Sequence, residues 1–130
     1  MAPTVREAVP ADLPDILEFI RGLARYERAE DEVVATVDDL EAALFGDNAK
    51  ARCFIAGIDG KSVGCAVFFY NFSTWTGRYG IYLEDLFVEE AHRGTGAGLA
   101  LMQALAKTAV DEGCTRFEWN VLDWNQPSID

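Results

Sequence analysis

The feature that most constrains this 130-residue sequence is the run Arg93-Gly94-Thr95-Gly96-Ala97-Gly98, which lies between a predicted strand and a predicted helix. Glycine has no Cβ, so glycines at alternate positions let the backbone curl and bring successive N–H groups close to an anion. The helix N-terminus adds partial positive charge at the same point, and Arg93 adds a full one. The run predicts a phosphate-binding turn.

Two other glycine-rich phosphate motifs do not fit the run. A dinucleotide-binding fingerprint has the spacing Gly-x-Gly-x-x-Gly after the first strand of an open parallel sheet. Here the turn comes late in the chain, the spacing differs and an arginine leads it. A Walker-type loop is excluded because no Gly-Lys-Ser/Thr follows.

The order of the predicted elements indicates one α+β domain over residues 1–130. Residues 4–9 read as a strand, and apolar residues at helical spacing predict a helix from residue 13 to about residue 28, with Asp12 as its cap. Thr36 and Asp39 predict the start of a second helix, which Gly46 would end. The first half of the chain is therefore strand, helix, helix.

The second half of the chain reads mostly as strands. Asp59-Gly60 predicts a tight hairpin between strands at 52–58 and 62–70. A loop over 71–78 and a strand over 80–88 follow, and then the glycine-rich turn. A third helix before Gly113, a strand over 116–122 and the opening of a further helix at 123–130 complete the predicted layered α+β domain.

Charge and composition narrow the classes of partner. The chain has 22 acidic and 11 basic residues and a net charge of −11, which opposes nucleic acid as a partner and would concentrate a small cation. The alternative is that the acidic surface only keeps the protein soluble. No apolar run approaches the roughly 20 residues of a membrane span, and no signal peptide is visible, so no membrane association and a cytoplasmic location are expected.

The cysteines and the histidine do not predict a metal site. Cys53, Cys65 and Cys114 form an odd set without metal-ligand spacing, and each lies in or beside an apolar segment. They are expected to be reduced and packed as small apolar residues. His92 is the one histidine in the chain, so no zinc site of cysteine and histidine is expected.

The pattern Arg93-x-x-Gly96-x-Gly98 after Leu86-Phe87-Val88 resembles the acetyl-CoA signature of the GNAT N-acetyltransferases. The stretches 23–27, 82–88 and 124–129 are similar, more narrowly, to the diamine branch of spermidine/spermine and thialysine acetyltransferase-like proteins. This resemblance implies a mixed, mostly antiparallel sheet flanked by helices.

The resemblance also implies where acetyl-CoA binds. The backbone of Leu86 and Val88 would pair with the pantetheine arm, and an N–H of Phe87 or Val88 would polarise the thioester carbonyl. Asn125 and Ser128 would contact the cofactor from the other side. The pyrophosphate would be bound by Arg93, Gly94, Thr95, Gly96, Ala97, Gly98 and Leu99.

The chemistry of amine acetylation suggests roles for the remaining residues. An alkylammonium, with a pKa of about 10, must lose a proton before it attacks a thioester, and Glu84 is the candidate that takes it, directly or through water. Strand residues alternate in direction, so one of Glu84 and Asp85 points outward. Tyr26, Glu27 and Trp75 would hold the amine with Glu84, by carboxylate charge and aromatic faces. His92 is expected to belong to the phosphate turn rather than to act as a base.

The resemblance leads to two expectations about the chain as a whole. Family members continue beyond Ser128-Ile129 with a tyrosine that serves as general acid to the CoA sulfur, and then with a short helix and two strands. The chain ends at Asp130, so an incomplete C-terminal part, with low activity, is expected. Relatives of this type are homodimers, and an unfinished sheet edge would favour association.

Three functions remain open from the sequence. The first is transfer of an acetyl group from acetyl-CoA to a small cationic amine, such as a diamine, a polyamine or a lysine-like compound. The second is acetylation of a protein N-terminus or lysine. The third is a non-catalytic acyl-CoA-binding module.

Overall fold

The computed structural model describes residues 2–119 of the chain. The first half contains strand β1 (Thr4–Glu7), helix α1 (Leu13–Tyr26), helix α2 (Val37–Phe45) and strand β2 (Ala51–Ile58). The second half contains β3 (Lys61–Ser73), β4 (Arg78–Val88), helix α3 (Ala97–Asp111) and β5 (Phe117–Trp119). The predicted element order is confirmed over this range. The expected end of the last strand at 120–122 and the helix at 123–130 lie outside the described residues.

The five strands form one sheet in the order β1-β2-β3-β4-β5. Neighbours are antiparallel from β1 to β4, and β5 pairs with β4 in parallel. The sheet is therefore mixed and mostly antiparallel, as expected. Asp59 and Gly60 join β2 to β3 with φ values of 54° and 79°, which is the left-handed geometry that a two-residue hairpin turn needs.

The two predicted helix caps have different outcomes. Thr36 Oγ1 accepts a hydrogen bond from Asp39 N at 3.2 Å, and the Asp39 carboxylate accepts one from Thr36 N at 2.9 Å, so the predicted capping box is confirmed. Asp12 does precede α1, but its side chain does not cap it. Its carboxylate instead binds both Nη atoms of Arg6, at 2.8 and 2.9 Å, and the N–H of Val9. A charged guanidinium is the stronger partner for a carboxylate.

The loop predicted over residues 71–78 is too long. β3 runs on to Ser73 and β4 begins at Arg78, so only residues 74–77 connect them. Phe72 and Tyr79 lie opposite each other, with ring centroids 5.0 Å apart in an edge-to-face contact. Cross-strand aromatic contacts of this kind stabilise strand pairing, and they outweigh the polar character that suggested a loop.

The sheet buries one apolar cluster on each face. The first lies under α3 and includes Phe68, Ile81, Leu101 and Leu105. The second lies under α1 and α2; it is composed of Ala8, Leu13, Ile16, Phe19, Leu23, Leu44, Cys53, Ile55, Cys65, Val67 and Phe87. We call these two sides of the sheet the α3 face and the α1 face.

All three cysteines are free thiols, as predicted. Cys53 and Cys65 are buried in the cluster on the α1 face, and Cys114 is partly buried after α3. Within residues 2–119, no helix is long and apolar enough to cross a bilayer.

Candidate active site

The glycine-rich turn has the backbone geometry that the sequence predicts at two of its three glycines. Gly94 and Gly96 have φ values of 86° and 93°, a region that side chains strongly disfavour. A Cβ at Gly94 would have no atom within 4 Å, and at Gly96 only Pro3 Cγ at 3.9 Å, so both face open space. Gly98 differs, because α3 already begins at Ala97 and Gly98 is helical. Gly98 therefore does not form part of the curl, contrary to the prediction.

The N-terminus of α3 faces this turn without a side-chain cap. Its N-cap residue is Gly96, which has no side chain to accept from the first N–H groups of the helix. In any α-helix these groups have no intrahelical partner. An anion above the turn would satisfy them and would gain from the helix dipole.

Contacts with neighbouring elements fix the shape of the turn. Thr95 Oγ1 donates to the carbonyl of His92 at 2.6 Å, which closes the turn on itself. Arg93 Nε donates to Val88 O at 3.2 Å, and the guanidinium lies 5.2 Å from the ring centre of Tyr26 and 5.8 Å from that of Phe87. Arg93 thus ties the turn to the ends of β4 and α1, while its side chain stays exposed.

A β-bulge divides β4 at Glu84. Leu83 pairs with Phe68 and Asp85 with Val67, so Glu84 is the extra residue between two consecutive pairs. Glu84 is exposed. β5 pairs with β4 at Ile81, Tyr82 and Leu83, so the described part of this pairing ends just before the bulge.

Beyond the bulge, alternate residues of β4 present their backbone to the side on which β5 lies. Phe87 O faces β3, because a Cβ added at Gly64 of that strand would clash with it. Its neighbours Leu86 and Val88 therefore direct their N–H and C=O groups away from β3. These are the two residues expected to pair with an extended pantetheine arm. Because the backbone groups of Phe87 face β3, Val88 and not Phe87 offers an N–H on the open side.

Asp85 is the less exposed of the two adjacent carboxyl groups, and it is partly buried. It lies on the α1 face opposite Val67, and burial together with the charges of Glu84 and Glu27 raises its pKa to about 6. The sequence predicts that one of Glu84 and Asp85 points outward, and it favours Glu84 as the functional residue. The bulge decides that Asp85, and not Glu84, is the partly buried one, and the pair of adjacent acidic residues is the only sign of this in the sequence.

The structure brings together most of the expected amine-binding residues. Tyr26 is the last residue of α1, and Glu27 follows it. Tyr26 lies beside the glycine-rich turn, because it contacts Arg93. Glu27 lies near the bulge, because its charge acts on Asp85. Tyr26 therefore supports Arg93, a role that the sequence did not suggest. Within residues 2–119, no group of three acidic, histidine or cysteine side chains is arranged to hold a metal ion.

Trp75, which is expected to bind the amine, lies far from Tyr26 and Glu27. It is in the β3–β4 connection, at the opposite end of β4 from the glycine turn, and it is 97% exposed. At about 3.3 Å per residue, the two ends of β4 are roughly 30 Å apart. Trp75 therefore does not join Tyr26 and Glu27 within one chain. Asn125 and Ser128 lie outside the described residues.

These features fit the acyl-CoA that the resemblance implies. The open space at Gly94 and Gly96, the uncapped start of α3 and the exposed guanidinium of Arg93 suit a diphosphate. The N–H and C=O of Leu86 and the N–H of Val88 suit an extended amide chain, while Val88 O accepts from Arg93.

Comparison with known proteins agrees with this geometry. The sequence model of the "Acetyltransferase (GNAT) family" matches residues 14–130. Thialysine N-epsilon-acetyltransferase of Sus scrofa is 39% identical over 97% of this chain and 78% of its own length. Spermidine/spermine N(1)-acetyltransferase-like protein 1 of Homo sapiens is 36% identical over 96% of this chain and 19% of its own length.

A solved structure agrees at the level of the fold. The ribosomal-protein-alanine N-acetyltransferase of Brucella melitensis superposes with a TM-score of 0.77 at 21% identity, covering 95% of this chain and 82% of that one. The expected diamine-branch relatives are thus found among the similar sequences, and the expected fold among the solved structures. The chain belongs to the GNAT family of acetyltransferases.

Proposed function

We propose that this protein transfers an acetyl group from acetyl-CoA to a small cationic amine, by direct attack of the amine in a ternary complex. The observation that carries the proposal is the position of three carboxylates, Glu27, Glu84 and Asp85, at the bulge of the strand that leads into the phosphate turn. A positively charged amine entering there would be attracted to the point at which acetyl transfer takes place.

Similar proteins support a cationic acceptor. Thialysine and spermidine or spermine appear in the names of the two relatives described above, and L-ornithine appears in the name of an Arabidopsis thaliana N5-acetyltransferase that is 28% identical. All of these compounds carry an alkylamine that is protonated at neutral pH. The net charge of −11 would favour their approach through electrostatic steering.

The carboxylates also suit the proton transfer that the reaction needs. The ammonium must lose a proton, and a general base works best when its pKa lies near the operating pH. Asp85, with a pKa of about 6, is mostly ionised at neutral pH and can still accept a proton. Glu84 is exposed beside it and connects it to water. We infer that Glu84 takes the proton, directly or through water, and that Asp85 shares it.

Other residues bind and orient the reactants. When bound, acetyl-CoA supplies the thioester carbonyl that the amine attacks. Arg93 and the N–H groups of the turn would hold the diphosphate, and Leu86 and Val88 would hold the pantetheine arm. The N–H of Val88 would donate to the thioester carbonyl oxygen on the open side of β4. Tyr26 keeps Arg93 in place by stacking under its guanidinium.

We also infer that the protein acts as a homodimer. Phe72, Trp75 and Tyr79 are 51%, 97% and 59% exposed and form an aromatic surface at the β3–β4 hairpin. Exposed apolar patches of this kind mark interaction surfaces. Association through this surface would bury it, and it would give Trp75 a packing partner that residues 2–119 of its own chain do not provide.

An amine panel tests the proposed activity. The chain would be incubated with acetyl-CoA and putrescine, spermidine, thialysine, a basic peptide or a neutral amine, and release of CoA thiol would be followed. We expect the small cationic amines to give the highest kcat/KM. Preference for the peptide would indicate a protein acetyltransferase, and CoA binding without release of thiol would indicate a non-catalytic module.

A further inference from the structure

We propose that Glu118 is a specificity-determining residue that binds the distal ammonium group of a diamine acceptor. The inference rests on the proposed function and deepens it, because it names the group of the substrate, the second ammonium, that the protein recognises. It arises from the part of the α1 face between the bulge and the β3–β4 hairpin.

Glu118 lies on the same face of the sheet as Asp85. Its neighbours Phe117 and Trp119 contact each other, with ring centroids 5.3 Å apart, and Phe117 packs against the cluster on the α3 face. Side chains alternate along a strand, so Glu118 points to the α1 face. In the parallel pairing of β4 and β5, Glu118 is in register with Tyr82.

Asn71 holds the Glu118 carboxylate in position across β4. Asn71 Nδ2 donates to Glu118 Oε1 at 2.9 Å, although the two residues lie on β3 and β5. Gly80 of β4 makes this bridge possible, because a Cβ there would lie 2.7 Å from Asn71 Oδ1. The nearest described cation, Arg116 Nε, is 3.7 Å from the same Oε1 in an exposed pair. Such exposed pairs are weak.

Two aromatic rings lie between the two acidic positions. Phe69 and Tyr82 are paired across β3 and β4 with ring centroids 5.2 Å apart, and both are partly buried. They alternate with Phe68, Ile81 and Leu83, which belong to the cluster on the α3 face, so their rings lie on the α1 face. They offer an apolar surface for methylene groups and ring faces for a cation.

The spacing of the two acidic positions suits a short diamine. Phe69 is opposite Tyr82 and Val67 is opposite Asp85, so Asp85 lies two residues, about 7 Å, along the sheet from Tyr82. Glu118 lies one strand spacing, about 5 Å, to the side. An ammonium at Asp85 and a second one at Glu118 can therefore be joined by a short methylene chain that runs over Tyr82.

The test compares two amines that differ only in the second amino group, putrescine and n-butylamine. In the parent chain we expect a KM for putrescine about tenfold or more below that for n-butylamine. Glu118→Gln should raise the KM for putrescine by about tenfold, since it removes one charged contact, and leave that for n-butylamine within about twofold. Asn71→Ala should give the same pattern with a smaller change, and Asp111→Asn, which removes an exposed carboxylate on α3, should change neither.

Equal effects of Glu118→Gln on both amines, or no effect on either, would overturn the inference. If the parent chain acetylates no amine, the proposed function fails, and binding separates the two questions. Calorimetry with the same two amines should then show tighter binding of putrescine to the parent chain and loss of that preference in Glu118→Gln. Equal binding of both amines by the parent chain would overturn the role of Glu118, whatever the result of the activity assay.

Discussion

The guanidinium of Arg93 stacks on the ring of Tyr26, 5.2 Å from its centre, and so couples the end of α1 to the glycine-rich turn. We expect Tyr26→Leu to weaken CoA binding by about threefold to fivefold, because an exposed cation–π contact stabilises by about 0.5–1 kcal/mol. Tyr26→Phe keeps the ring and should keep the affinity. Calorimetric titration with CoA measures both. Equal loss in the two variants would mean that the hydroxyl group, and not the ring, supports the site.

Substitution of Gly96 separates backbone strain from anion binding. Gly96→Ala should cost about 1–2 kcal/mol in unfolding free energy, because it places a side chain at a φ of 93°. It should also greatly weaken CoA binding, since a methyl group would occupy the open side of the turn. Gly77→Ala is the matched control: Gly77 has a φ of 68° and a Cβ there would meet no atom within 4 Å, but it lies in the β3–β4 connection. Loss of CoA affinity in both variants would contradict the site.

Asp85 should make the protein less stable as the pH rises. Its folded pKa of about 6 lies above the ordinary value of 3.8, so between about pH 4 and pH 6 the folded state binds more protons than the unfolded state. Stability therefore falls as pH rises through this window. At neutral pH, Asp85→Asn should be more stable than the parent by up to about 3 kcal/mol and should have a lower kcat. Below about pH 4 the gain should vanish.

Urea unfolding at several pH values measures this effect. Asp47→Asn serves as the control, because Asp47 is exposed at the end of α2 and away from the bulge. A gain in stability that does not depend on pH would show that the Asp85 charge is not its cause.

Glu27 should act on substrate binding more than on chemistry. Glu27→Gln removes an attraction that the ground state and the transition state share, so the KM for a cationic amine should rise while kcat changes less. In the parent chain the KM should increase with salt, since the Debye length falls to about 8 Å near physiological ionic strength. The variant should respond less to salt. Glu41→Gln on α2 is the matched control, and a salt-independent KM in the parent would refute electrostatic steering.

The aromatic hairpin gives a prediction about assembly. Light scattering at micromolar concentration should show a dimer, and Trp75→Ser should shift it toward monomer, because it removes a large exposed ring from the proposed interface. Val110→Ser removes a side chain that is 77% exposed on α3 and should leave the dimer intact. A monomeric parent chain would rule out the proposed homodimer.

Local signals in the sequence were sufficient for much of the fold. A two-residue hairpin turn requires left-handed backbone, which Asp59 and Gly60 tolerate. Thr36 and Asp39 can satisfy each other's backbone within one helical turn. The backbone of the glycine-rich turn is predictable for the same reason, since the left-handed φ values of Gly94 and Gly96 follow from the local residue type. The position of Gly98 inside α3 was missed because glycine spacing alone does not show where a helix begins.

Features that depend on contacts distant in sequence were not predictable. The bulge at Glu84 exists only relative to Val67 and Phe68 of the neighbouring strand, and it leaves Asp85 partly buried and Glu84 exposed. Asp12 does not cap α1 because its carboxylate is bound by Arg6 of β1. The Asn71–Glu118 bridge requires three strands in register, and no short segment of the sequence contains that information.

Burial of two cysteines has a practical consequence for measuring this protein. Cys53 and Cys65 are 2% and 1% exposed, and the pKa of Cys65 is raised well above its ordinary range, first by a hydrogen bond with Cys53 and then by burial. Thiol reagents react with accessible thiolates, so neither residue should react while the chain is folded. Cys114 alone should then contribute to the blank of a CoA-release assay. The number of thiols that react before and after denaturation also reports, in one titration, the fraction of molecules that are folded.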